Sequence, residues 1–427
     1  MRIVQVIENF FPDSLGGTET YVLNISQEML KKGYEVSVIA PRCGKKKIYD
    51  YKGIKVYRYA IPLSQPKNVC KGISAPDGIR EFIAIIKEIK PDIVHFHTFN
   101  TAVNNFHLKA VKELGIKTVF TPHQAGIFCG KGNLIDERGS RCNGKVTRNR
   151  CTRCYLQEKG FHIGMAHCLE IIGTLVRKIP LFRSMVPASC MVGQSRLNEL
   201  KSIQEYADRV IAISQWVQEA FAKNGIDNVS LVPQGVDVSL ISNKKVHRDV
   251  RKRLRIIFVG RIYPIKSLET LCAALKKVDV NQIHLTMACV CGKDEYARGI
   301  KQFVHTLPHY SWEENVSHER LGDILADNDI LVLPSISEMS PLVILEAFAA
   351  GIPVVASDIP PITDLVVNGK NGLTFPVRDS DTLAHHIENL LLKPELLVHL
   401  KTNVRPPRTF SDVSDDLLLI YNNLFKK

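Results

Sequence analysis

The sequence predicts an α/β protein made of two parallel-sheet domains. Short apolar, β-branched runs alternate with helical periodicity almost from end to end, the pattern of βαβ units whose strands are covered on both faces. That alternation pauses in a polar, basic stretch near residues 236–254 and then starts afresh, which puts a linker there. With 427 residues the chain is also long for one core. The expected division is a first domain over 1–235, a second over 236–404, and a C-terminal helix within 405–427, after the Arg405-Pro406-Pro407 break, placed to pack back on the first.

In the first domain, strands are expected at Ile3–Ile7, Glu35–Ala40, Ile54–Tyr59, Asp92–His97, Thr118–Thr121 and Val210–Ile213. Helices read at Thr18–Lys32, Gly78–Ile89 and Val103–Leu114. A strand Ser230–Pro233 closes this half. The second alternation runs through Ile256–Gly260, Ser267–Lys277, Ile283–Ala288, Asp294–Leu307, Ile330–Leu333 and Val354–Ser357, with a last helix near Asp412–Phe425. Residues 128–205 interrupt the first half; they hold four cysteines and a helical segment, too long for a βα connection, and read as an insertion.

Composition narrows the class. No stretch approaches the length of a membrane span, and the N-terminus lacks a signal-peptide pattern, so a cytoplasmic protein, peripheral at the inner membrane face, is expected. The formal charge is +13, concentrated in Lys45-Lys46-Lys47, Leu175–Arg183 and Lys244–Arg255. These runs lack interleaved aromatics, and no helix-turn-helix or zinc-finger spacing appears, so no nucleic acid is expected as partner. An anionic membrane, a phosphorylated substrate or a solvated basic face remain.

The most informative stretch is Leu331–Gly351. It reads as strand, polar loop and helix, with Pro341 at the first helical position and Gly351 just past the end. Free amides and the positive end of the helix dipole would face a ligand in the loop, and Glu338 and Glu346 bracket that helix mouth. An anionic, hydroxyl-rich ligand satisfies both. Arg261 and Lys266 follow the first strand of the second domain, where ligands bind in open parallel sheets, and offer a fork and a point charge to a diphosphate. Two solvated surface cations are the plainer reading. Gly16 and Gly17 precede a helix and allow close backbone approach by a phosphate, or simply make a tight turn.

Together Gly16-Gly17-x-Glu19, Pro233-Gln234-Gly235-Val236-Asp237, Gly260-Arg261…Lys266, and Glu338-x7-Glu346 followed by Gly351-x-Pro353 resemble one family. It is the retaining glycosyltransferase family four (glycosyl transferases group 1), with two facing Rossmann-like domains, the GT-B fold. The resemblance implies that Arg261 and Lys266 hold the diphosphate of a UDP- or GDP-sugar and that Glu346 takes the ribose hydroxyls. It further implies that Glu338 contacts the donor sugar, that amides near Ser340, Leu342 and Val343 complete the cradle, and that Gly16 and Gly17 close over the donor. His123 matches the family's active-site histidine, with His97 a weaker acceptor-side candidate. Catalytic roles therefore fall to His123, Glu338, Arg261 and Lys266. The acceptor would be a saccharide or lipid-linked saccharide in polysaccharide or glycolipid synthesis. Met339-Ser340-Pro341 and Gln234 depart from the family pattern, and the first alters the surface beside the donor sugar.

Other features stay open. Cys129, Cys142, Cys151 and Cys154, among eleven cysteines, have spacings of the kind structural zinc uses, or are unligated or redox-sensitive thiols. Cys43, Cys272 and Cys289 read as small apolar residues. His167–Arg183 is amphipathic, a bilayer-interface element or a helix packed on its own domain. Asp327-Asn328-Asp329 precedes a core strand and Asp379 reads as a helix start, so no catalytic metal is expected. The alternatives to a transferase are a GT-B epimerase or phosphorylase, or a non-catalytic binder using the basic surface.

Overall fold

The structure is a computed structural model describing residues 1–14, 16–64, 66, 74–176, 187–237 and 253–426. The chain divides into two compact units, Met1–Pro233 with Ser411–Lys427, and Gln234–Phe410.

The first unit is an eight-stranded sheet built from β1 (Arg2–Val6), β2 (Glu35–Cys43), β3 (Lys47–Tyr51), β4 (Ile54–Ile61), β5 (Ile93–Phe96), β6 (Lys117–Phe120), β7 (Arg209–Ala212) and β8 (Val229–Leu231). Their order is β3-β4-β2-β1-β5-β6-β7-β8. All neighbours are parallel except the β3–β4 hairpin. That hairpin was not expected, because Lys47–Tyr51 is a polar edge strand with no apolar run to announce it. Continuous burial of Ile3, Val4, Val6, Ile93, Val94, Phe96 and Phe120 follows from helices covering both faces. The order reverses at β1, which pairs β2 on one side and β5 on the other. Loops leaving those strand ends diverge and open a crevice.

The Phe410–Asn423 helix returns to this unit from Ser411 onward. Lys32 Nζ donates to the Ser411 carbonyl at 3.1 Å and to Asp415 at 2.7 Å, while Val413, Leu417 and Tyr421 are buried.

The second unit is a six-stranded, wholly parallel sheet of β9 (Leu254–Arg261), β10 (Ile283–Val290), β11 (Tyr310–Glu314), β12 (Ile330–Leu333), β13 (Val354–Ser357) and β14 (Gly372–Phe375). Its order, β11-β10-β9-β12-β13-β14, reverses at β9. The outer strands β11 and β14 were not expected; Tyr310–Glu314 is mostly polar and Gly372–Phe375 is short. Gly235 lies so close to the returning chain that a Cβ would meet the Thr409 carbonyl at 2.4 Å, and Val236 N donates to Arg408 O at 2.9 Å. Most of the expected 236–254 linker, and with it most of the Lys244–Arg255 basic run, lies outside the described residues.

Candidate active site

In the second unit the reversal at β9 brings two loops together. One leaves β9 with Arg261 and Lys266; the other leaves β12 with Ser335–Ser340. Ile336 N donates to Ile265 O at 2.8 Å and ties them. Gly260 has φ +143°, a conformation closed to side chains, so the chain turns off the strand there. Lys266 Nζ meets Glu338 Oε1 at 2.6 Å, and Ser335 Oγ donates to the same oxygen at 2.7 Å. Glu338 Oε2 is left open among the described residues. Arg261 is exposed and unpaired among them.

The helix after this loop is Leu342–Ala349. Pro341 is not its first residue but its extended cap, with φ −77° and ψ 99°. Proline's ring fixes φ but leaves ψ free, and here ψ keeps the residue outside the helix. The amides of Leu342 and Val343 have no carbonyl one turn back and stay available to an anion. Gly351, at φ +76°, ends the helix with its N–H on Phe348 O at 3.0 Å. Glu346 is half-buried and makes no hydrogen bond or ion pair among the described residues; burial pushes its carboxyl up to about 7. An unpaired carboxylate at a helix mouth is an acceptor awaiting hydroxyls. Met339 is buried, 8% exposed, and Ser340 is half-buried.

In the first unit, the ends of β1, β5 and β6 gather polar groups. His97 Nδ1 is 3.1 Å from His123 Nε2, and His97 Nε2 is 2.6 Å from Gln5 Oε1. Burial holds His123 down at about 3 and His97 well below its ordinary value, so both are neutral. His123 is half-buried and Tyr21 packs on its ring at 4.6 Å. Glu8, across the β1–β5 crevice, accepts from Asn100 Nδ2 and from Thr101 Oγ1 at 2.8 Å. Gly16 caps the Gly17–Lys31 helix in extended conformation, and a Cβ there would meet Glu19 Oε2 at 2.6 Å. The Glu19 carboxylate, 8% exposed and accepting from Ser14 Oγ at 2.7 Å, occupies the place beside the glycine.

Two matches to family models cover more than half of the chain: residues 15–146 fit Glycosyltransferase Family 4 and residues 241–406 fit Glycosyl transferases group 1. The chain belongs to this glycosyltransferase family. An uncharacterized glycosyltransferase of Methanocaldococcus jannaschii is 20% identical over 99% of this chain and 98% of its own. Phosphatidyl-myo-inositol mannosyltransferase of Mycolicibacterium smegmatis is 23% identical over 93% of this chain and 86% of its own. The solved structure of Anabaena HepE in complex with UDP-glucose, 16% identical, superposes with a TM-score of 0.66 over 99% of this chain and 100% of that one, which shows the GT-B fold.

Other residues of this glycosyltransferase behave differently from expectation. Cys129, Cys142, Cys151 and Cys154 lie near enough to one another to interact electrostatically, but among the described residues no group of three or more His, Cys, Asp or Glu is arranged to hold a metal. Cys129 Sγ turns to Asn133 Oδ1 at 3.9 Å and Cys154 Sγ to the Ile135 carbonyl at 3.4 Å, and burial pushes the Cys154 thiol up to about 11. Cys43 is exposed, because β2 has run past the sheet core there; Cys289 is buried as expected. The described part of the amphipathic segment belongs to the helix Ile163–Val176, and Arg177, Lys178 and Arg183 lie outside the described residues. Asp329 caps the start of β12, accepting from Arg255 N at 2.9 Å and Lys401 Nζ at 2.7 Å. Asp379 caps its helix through Asp381 N and Thr382 N, each at 3.0 Å.

Three groups, two of them buried, escaped the sequence reading. Arg58, 3% exposed, donates to Phe10 O at 2.6 Å and Asp13 Oδ2 at 3.1 Å and so holds the loop leading to Gly16. Gln5 and Glu8 flank the β1 end. A polar residue inside an apolar strand run, as Gln5 and Arg58 are, was the available signal.

Proposed function

We propose a retaining glycosyltransferase that moves a sugar from a UDP- or GDP-sugar to a saccharide or lipid-linked acceptor without a catalytic metal, in cell-surface polysaccharide or glycolipid synthesis. The observation that carries it is the set of unpaired groups at one sheet reversal of the second unit: Glu346 for ribose hydroxyls, Arg261 and the Leu342 and Val343 amides for phosphates. HepE, which binds UDP-glucose, shares the fold.

In this reading Arg261 and Lys266 neutralise the diphosphate as the anomeric C–O bond breaks, and stabilising that departing charge lowers the barrier. Two cations and a helix N-terminus supply what a divalent ion would. Glu338 holds Lys266 in place through Oε1 and offers Oε2 to the donor sugar. His123 contacts a substrate hydroxyl. Thermal-shift measurement against UDP-, GDP- and ADP-sugars tests the donor assignment, since a ligand selective for the folded state raises the melting point. Glu346→Ala and Arg261→Ala should abolish the shift, and retained binding in both would overturn the site. The anomeric configuration of the product, read by NMR, tests retention.

The acceptor reading draws on the Ile163–Val176 helix. It docks through Ala166 and Glu170, the latter 3.9 Å from Arg153, and leaves Ile163, Met165, Ile171, Ile172 and Leu175 between 43% and 56% exposed. Among the described residues no helix is long and apolar enough to cross a membrane. An apolar face next to exposed Arg148 and Lys159, on a chain of formal charge +13, fits an anionic bilayer surface. Sedimentation with phosphatidylglycerol vesicles should fall for Ile172→Glu with Leu175→Glu. Unchanged sedimentation, or a salt-resistant dimer instead, would refute it.

A further inference from the structure

We propose that Gln5, acting through His97, fixes the tautomer of His123, so that His123 presents a bare Nδ1 as hydrogen-bond acceptor to a substrate hydroxyl. This rests on the reading of His123 as a substrate-contacting residue. Gln5 is fully buried, with Oε1 toward His97 Nε2 at 2.6 Å and Nε2 facing Met29 Sδ at 3.8 Å. The amide orientation is decided by these neighbours. Reversed, it would set its oxygen against a thioether that has no proton to give. An amide oxygen only accepts, so His97 carries its proton on Nε2 and, being neutral, has a bare Nδ1. That nitrogen accepts from His123 Nε2–H at 3.1 Å. His123 therefore donates inward, and its Nδ1, unbonded among the described residues on a half-buried ring, is an acceptor.

Tyr421 closes the far side of the cluster: its hydroxyl lies 2.6 Å from His95 Nδ1, and His95 Nε2 lies 2.6 Å from Thr121 Oγ1. A bare Nδ1 takes a hydrogen bond from a sugar hydroxyl but has none to give to a phosphate or carbonyl oxygen, so the arrangement selects for hydroxyl at that point. Gln5 and His97 act as positioning residues.

The test uses the full-length protein labelled with 15N-histidine at pH 7.5. Long-range 1H–15N correlation reads each ring's tautomer, and His123 is identified by its loss in His123→Gln. The expected spectrum shows His123 protonated at Nε2 with Nδ1 bare. Gln5→Glu should move the His123 Nδ1 resonance toward the protonated position, because a carboxylate beside His97 favours the imidazolium, whose Nδ1–H then faces His123. A parent protein protonated at His123 Nδ1, or an unmoved His123 tautomer in Gln5→Glu, overturns the inference. If instead His123→Gln keeps full nucleoside diphosphate release across the UDP-, GDP- and ADP-sugar panel, the role of His123 falls while the tautomer measurement still stands.

Discussion

Glu346 carries opposite demands. A half-buried, unpaired carboxylate raised to about 7 costs stability when ionised, yet the ionised form is the better acceptor for two ribose hydroxyls. Because the folded value lies above the unfolded one, its contribution is fully favourable below about pH 4.5 and is lost as pH rises through 7. Glu346→Gln should thus melt higher than the parent at pH 8, by about 1–3 kcal/mol, with the gain shrinking toward pH 5, while nucleotide-sugar binding is lost. A variant that melts equally at both pH values would contradict the burial argument. Lys266→Met should lower kcat by about 100-fold or more with a smaller change in KM, if the lysine acts mainly on the departing diphosphate. Equal binding loss without a kcat effect would assign it to ground-state binding alone.

At the scale of elements, the site depends on how strands end. Gly260 and Gly351 adopt positive φ, and each sits where the chain must turn sharply beside a ligand-facing group. Gly351→Val should destabilise the second unit by about 1–3 kcal/mol through backbone strain, measured by urea denaturation. The Phe410–Asn423 helix is held to the first unit by Lys32 and by buried Tyr421, so its packing reaches the histidine pair. The sequence placed β12, its loop and the following helix because apolar run, polar loop and helical period are local patterns. It did not announce β3, β11 or β14, whose pairing rests on long-range neighbours rather than on composition.

For the whole molecule, buried neutral histidines are concentrated in the first unit. His95, His97, His107 and His123 are all held below their ordinary value by burial, the last two down to about 3. A histidine depressed in the folded state contributes stability that is present above about pH 6.5 and is lost as pH falls toward the folded value, at about 1.4 kcal/mol per pH unit for each ring. The first unit should open at a higher pH than the second on acidification, as read by hydrogen exchange on peptides from each. Opening of the second unit first would show that other groups dominate its acid response.

The sequence by itself determined the alternation that makes two parallel sheets and the spacing that sets Arg261, Lys266 and Glu338 after strand ends and Glu346 in the helix that follows, because those depend on residues near one another in the chain. Only the tertiary structure decided which of them are paired. Lys266 meets Glu338 because β9 and β12 are neighbours, and Gln5 meets His97 because β1 and β5 are neighbours. Tertiary structure also kept Glu346 bare among the described residues. Burial and hydrogen-bond partners are properties of the folded chain, and they set the charge and the tautomer on which the proposed chemistry rests.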